Sequence, residues 1–166
     1  MRSLAEWLSE YGASHEHATN KLLHWICVPP IVLSVLGLLW SIPVPAALVS
    51  VSPWLNWATL LAIAALAYYL VLSPRLAVGI ALAFAALLAI VQWLATLAWP
   101  LWVTCLVVFV VAWIGQFVGH AIEGKRPSFF KDVQFLLIGP LWLVSALYRR
   151  LGIAYETPPT KTTQTT

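Results

Sequence analysis

An all-α membrane protein is the fold class this sequence predicts: a bundle of four transmembrane helices with an N-terminal amphipathic helix and a short re-entrant or interfacial helical hairpin. Three observations predict it. Between Leu22 and Ile122 the only charged side chain is Arg75, and that stretch is several times longer than the ~20 apolar residues one hydrocarbon-crossing helix needs. Hydrophobic residues make up 61% of the 166-residue chain and charged residues 9%, with 10 Trp and a mean hydropathy of +0.88, which excludes an ordinary soluble domain. Arg2, Lys21, Arg75, Lys125, Arg126 and Lys131 all fall on one side if four spans alternate, whereas residues 41–53 and 98–100 carry no charge. That asymmetry sets orientation and places both termini, with all four histidines, on the cytoplasmic side.

Residues 1–150 read as one membrane domain and 151–166 as a flexible tail. Ser3 and Glu6 have the spacing of a capping box, which starts an amphipathic helix through Trp7 and Leu8 to Tyr11 and stops it at Gly12. A second start at Ser14 leads through His15, His17, Asn20 and His24 into a span over about 22–40. Pro29-Pro30 predicts a bend there, because prolines free backbone carbonyls inside a span. A loop rich in Pro and Ser precedes a span over about 54–72, the Ser73-Pro74-Arg75 turn separates it from one over about 76–97, and Trp99-Pro100 leads to the last, about 101–122. The apolar stretch over about 133–148 is short for a crossing and carries Gly139-Pro140 at its centre. A hairpin that dips in and returns suits it and keeps Arg149 and Arg150 on the basic side. The Pro/Thr-rich tail from Thr157 has too little apolar surface to pack. Cys27 and Cys105 sit within spans without C-x-x-C spacing and read as small apolar fillers. The charges at Arg2, Glu6, Glu10, Glu16 and Lys21 interrupt any signal-peptide core, so the first span directs insertion, into a bacterial inner membrane or the endoplasmic reticulum.

Helical spacing then sorts the polar residues. Gln116, His120 and Glu123 fall at i, i+4 and i+7, one stripe at the cytoplasmic end of the last span. His17, Asn20 and His24 form a second stripe. His15 lies about half a turn from His24 on a straight helix and joins it only if the chain starts or bends around residues 14–17. A lone histidine at a membrane interface is ordinarily an amphipathic residue at the headgroup level, and Glu123 with Arg126 an ordinary surface pair. Four imidazoles at one lip of a bundle are less easily explained that way, since ionisable groups are costly there. Together with one carboxylate they suit iron, zinc or manganese. Gln116, nearly two turns inside the apolar span, needs polar partners and points to the bundle interior. Mid-membrane charges and inverted repeats are missing, which argues against a transporter.

The segment Tyr11…His15-x4-Asn20-x3-His24…Val28-Pro29, followed by Gln116-Phe-Val-Gly-His120…Glu123-Gly-Lys-Arg-Pro127, closely resembles the 2-hydroxy-fatty-acid dioxygenase family. Fungal members of that family work in fatty acid α-oxidation during breakdown of the sphingolipid base phytosphingosine. The resemblance implies an Fe(II)-dependent, membrane-embedded oxygenase that uses O2 to remove the carboxyl carbon of a 2-hydroxy fatty acid. It carries over onto His15, His24 and His120 as metal ligands, with His17 less regular in the family, and onto Asn20, Gln116 and Glu123 as accompanying catalytic positions. The step from His120 to Glu123 is one residue shorter than in other members, which leaves Glu123 as a ligand or as a partner that orients one. Lys125 and Arg126 are placed to draw an acid headgroup from the leaflet, with Tyr11 as a third candidate for holding substrate. The partners expected are the bilayer, the hydroxy acid and O2, with no nucleic acid and with homo-oligomerisation left open. The competing class is a bis-histidine haem protein with His24 and His120 on facing helices.

Overall fold

The structure, a computed structural model, describes residues 2–52, 54–127 and 134–155. Those residues form α1 (Leu4–Gly12), α2 (Ala18–Trp40), α3 (Ala46–Val49), α4 (Trp57–Leu72), α5 (Pro74–Ala95), α6 (Leu101–Glu123) and α7 (Phe135–Arg150), with no strand among them. Lys131, the first residue of the expected hairpin and the tail from residue 156 lie outside the described residues. Helices α2, α5 and α6 are long and apolar enough to cross a membrane, and α4 is apolar but 16 residues long. Their outward faces are apolar as well: Val71, Leu82 and Val111 are 69%, 69% and 62% exposed, surface that lipid covers without cost.

Local chemistry explains where the helices begin. In α1 the Ser3 hydroxyl accepts from the Glu6 N–H at 3.3 Å and the Glu6 carboxylate accepts from the Ser3 N–H at 2.6 Å, so the expected capping box forms. Asn56 caps Ala58 and Thr59 through its side-chain oxygen, which starts α4 at Trp57 and leaves Trp54 before it. Ser73 caps Leu76, and Pro74 takes the first helical position of α5, where no N–H is needed.

Four helices alternate in direction. At one end Val28 of α2, Ala65 and Tyr69 of α4, and Leu76 and Ile80 of α5 share a core with α1 and α7. At the other end Leu36, Ala58, Ala62 and Val91 pack together, with Leu101 against them. The α2–α6 pair is seated by small residues. A Cβ on Gly115 would lie 2.6 Å from Cys27 Sγ, one on Gly37 would run into Cys105 Sγ, and one on Gly119 into Asn20 Oδ1. Both cysteines therefore fill notches made by glycine, the close approach that packs helices in lipid. Replacing Gly119 with Ala is expected to lower stability in detergent by about 1–3 kcal/mol, the usual cost of overpacking a tight contact, read as a fall in melting temperature.

The structure corrects three expectations. The hairpin over about 133–148 is instead one helix, α7, with Pro140 inside it. A proline forfeits one intrahelical bond and need not end a helix that is packed along its length. Here Trp7 meets Phe135 edge-on at 5.0 Å, the Tyr69 hydroxyl donates to the Leu137 carbonyl at 2.8 Å, and the Tyr148 hydroxyl donates to the Arg75 carbonyl at 3.2 Å. Both ends of α7 thus reach one rim of the bundle without a turn. Second, no helix starts at Ser14: α2 starts at Ala18 and then runs unbroken through Pro29 and Pro30. Third, residues 151–155 fold back rather than leaving the bundle as a free tail. Gly152, at φ 69°, makes the turn, the Ile153 N–H donates to the Tyr148 carbonyl at 2.9 Å, and Arg75 donates to the Ala154 carbonyl at 3.4 Å.

Candidate metal centre

Three of the four histidines meet. The chain between α1 and α2 is not helical, and His17 serves there as N-cap of α2, its Nδ1 accepting from the Thr19 N–H at 3.2 Å. This supplies the bend that His15 needs. The His15 N–H donates to the Gly12 carbonyl at 2.9 Å, and its ring folds back to stack on Tyr11, with centroids 4.2 Å apart and planes at 17°. His15 is thereby buried, whereas His17 stays exposed, and the structure does not bring it into the group.

His15, His24 and His120 each offer a ring nitrogen within 4.8 Å of the others, and all three side chains are buried. Their hydrogen bonds decide which nitrogens are free. His15 Nδ1–H donates to the Tyr11 carbonyl at 2.6 Å, and His24 Nδ1–H donates to the Asn20 carbonyl one turn earlier at 3.0 Å. A carbonyl only accepts, so the hydrogen-bond network assigns both protons to Nδ1 and leaves both Nε2 atoms as acceptors. Those two Nε2 atoms face each other at 2.8 Å. Burial pushes the His15 pKa down to about 4, so a proton does not bridge them there at neutral pH. His120 Nδ1 is buried without a hydrogen-bond partner among the described residues. Three nitrogens that lack donors thus converge on one point, and a cation that accepts their lone pairs satisfies them. Imidazoles bind such ions at about 2.0–2.1 Å, which sets neighbouring donors roughly 3 Å apart. The His15–His24 pair, at 2.8 Å, is close to that, and the His120 ring offers its nitrogen within 4.8 Å of both. Three neutral nitrogens suit iron, zinc or copper better than calcium or magnesium.

The remaining polar residues hold the site together. Glu123 accepts from the backbone N–H groups of Glu16 and His17, each at 2.9 Å, and from Asn20 Nδ2 at 3.0 Å. Asn20 Nδ2 also donates to the Ser14 carbonyl at 3.2 Å. Lys125 Nζ donates to the Ala13 carbonyl and to the Glu16 carboxylate, both at 2.7 Å. The end of α6 therefore clasps the loop that carries His15. Glu123 and Lys125 are occupied in that clasp, and Arg126 is exposed. The carbonyls of Tyr11 and Asn20 that set the two tautomers went unread in the sequence, as did α7 as a wall of the site. Spacing rules describe side chains on regular helices, and the signal for the bend was that His15 falls half a turn out of register with His24.

A cleft of about 70 Å³ opens onto the imidazoles, lined also by Tyr11, Gln116 and Phe135. Gln116 is 5% exposed, and its Nε2 has no hydrogen-bond partner. Burial raises the Tyr11 pKa, so its phenol is neutral. The cleft shares Ile31, Val32, Trp113, Leu136 and Pro140 with an apolar groove of about 300 Å³ that reaches Leu36, Leu61 and Phe109. From His24 to Leu36 along α2 the path is about 18 Å at 1.5 Å per residue. One lipid chain spans about 15 Å, half the hydrocarbon core, so the groove accommodates a long acyl chain.

The sequence model of a family described as 2-hydroxy-palmitic acid dioxygenase Mpo1-like matches residues 1–151. No curated protein and no solved structure gives a significant match.

Proposed function

Because the chain belongs to the Mpo1-like family, described as 2-hydroxy-palmitic acid dioxygenase, we propose that it is an Fe(II)-dependent membrane enzyme that removes C1 of long-chain 2-hydroxy fatty acids with O2, shortening them by one carbon. The observation that carries this reading is the convergence of one ring nitrogen each from His15, His24 and His120 to within 4.8 Å of one another, all buried, where the histidine-lined cleft joins an apolar groove. These three nitrogens would hold the metal. Bound iron would supply redox capacity toward O2 and Lewis acidity toward the hydroxyl and carboxylate of the acid.

The protein's own groups do the rest. The Tyr11 and Asn20 carbonyls hold the two imidazoles in the tautomer that ligates. Gln116 Nε2 donates to the substrate carboxylate, and the neutral Tyr11 phenol supplies a second polar group on the cleft wall. Ile31, Trp113 and Leu136 hold the chain and exclude water from the reacting carbons. Replacing Gln116 with Ala is expected to cost about 1.5 kcal/mol of acid binding, the low end for a hydrogen bond to a charged group. That corresponds to a roughly tenfold higher KM with the metal content unchanged.

In the same reading α2, α4, α5 and α6 all cross the bilayer. The short α4 is accommodated by local thinning, and both termini and the site face the cytoplasm, where Arg2, Lys21, Arg75, Arg149 and Arg150 gather. Haem is not favoured. The His24 and His120 rings lie 5.1 Å apart at 90°, and His15 Nε2 sits 2.8 Å from His24 Nε2, where the macrocycle would have to lie. The direct test is O2 uptake by purified, iron-loaded protein. Uptake is expected with 2-hydroxypalmitate, but not with palmitate or after chelation. Folded, iron-loaded protein that consumes no O2 with any 2-hydroxy acid refutes the proposal.

A further inference from the structure

A second apolar groove, of about 180 Å³, lies between α2, α5 and α7 and adjoins the first at Val32, Phe84 and Pro140. Trp25, Val32, Ile80, Phe84, Leu143 and Leu147 line it. Its mouth is cationic: the Arg150 guanidinium sits 5.2 Å above the Trp25 ring, and Lys21 is one turn before Trp25 on the same stripe of α2. Among the described residues Glu10 pairs with Arg2 at 3.2 Å, Glu16 pairs with Lys125 at 2.7 Å, Glu123 is taken up by backbone N–H groups, and Glu6 bonds Ser3. No described carboxylate lies within ion-pair distance of Lys21 or Arg150.

We propose that this groove binds one acyl chain of an anionic phospholipid from the surrounding leaflet, with its phosphate held between Lys21 and Arg150 beside Trp25. Two cations at the rim of an apolar slot complement a negatively charged headgroup joined to a long chain. A zwitterionic headgroup brings its own cation to the same place and gains less. The chain lies along Val32, Phe84 and Leu143, while Trp25 provides the amphipathic ring that favours the headgroup level. Although the groove adjoins the first one, its cationic mouth at Lys21 and Arg150 lies outside both the cleft and that groove and stands whether or not the imidazoles hold iron.

The test uses the full chain in nanodiscs of mixed phosphatidylglycerol and phosphatidylcholine, with the lipids retained on ejection measured by native mass spectrometry. Wild type is expected to retain phosphatidylglycerol in excess, and Arg150→Gln and Lys21→Gln each to lower that excess about fivefold, the contribution of one basic residue at a leaflet surface. Ala83→Phe, which fills the groove from α5, is expected to abolish retention of either lipid while α-helical circular dichroism stays at the wild-type level. Equal retention of the two lipids by wild type, or wild-type retention by folded Ala83→Phe, overturns the proposal. So does displacement of the retained phospholipid by stoichiometric 2-hydroxypalmitate, which would make the groove a fatty acid site.

Discussion

Alanine in place of any one of His15, His24 or His120 is expected to abolish metal binding and lower turnover by a factor on the order of 10³ or more, whereas His17→Ala keeps both. The contrast follows from geometry. Three nitrogens lie within 4.8 Å of one another, and the fourth imidazole is spent on the Thr19 N–H. Ligands of one ion act as a unit, so a double variant such as His15→Ala with His120→Ala is expected to be no worse than either single change. Stability supplies a readout that does not depend on turnover. Metal that binds only the folded state raises stability by about 2.7 kcal/mol at a hundred times its dissociation constant. Wild type and His17→Ala are expected to gain melting temperature on adding Fe(II) or Zn(II), and His24→Ala to gain none. If His17→Ala loses the shift, or His24→Ala keeps it, the three-nitrogen centre is wrong.

The parts of this fold that were readable from sequence are those where one physical rule acts alone. A continuous apolar run in lipid has helix as its solution, because every backbone group must bond within its own segment. That is why α5 and α6 follow so closely from the positions of Arg75, Pro100 and Glu123. The i, i+4 spacing likewise delivered Gln116 and His120 to one cleft. Reading faltered where two rules compete. Gly139-Pro140 signals a break by propensity, yet α7 gains enough from packing on Trp7, Tyr69 and Arg75 to continue through it. Residues 14–17 read as the first turn of a helix that starts at Ser14, yet their path is set by Glu123, more than a hundred residues away. Glu123 itself was legible as an important carboxylate beside His120, but its partners are backbone N–H groups, which leave no mark in a sequence.

Glu123→Ala is the second large effect, and it separates positioning from ligation. Among the described residues Glu123 alone bonds the N–H groups of residues 16 and 17, and with Asn20 it ties down the loop that presents His15. Its negative charge also faces the N-terminus of α2, where the helix dipole favours it. Without it, His15 must be ordered from a freer loop each time metal binds. Metal affinity is therefore expected to fall between about ten- and a hundredfold, the usual cost of losing a group that orients a ligand. Glu123→Gln is expected to fall between wild type and Ala, since one amide oxygen can still accept while the NH2 meets a backbone donor. Saturating metal should then restore turnover in both variants to near the wild-type rate, because all three nitrogens remain. The measurement is a metal titration followed by activity at saturation, with circular dichroism to show that the helices persist. Metal affinity equal to wild type in Glu123→Ala would mean the clasp does not position His15. Full metal occupancy without recovered turnover would instead make Glu123 a participant in the chemistry.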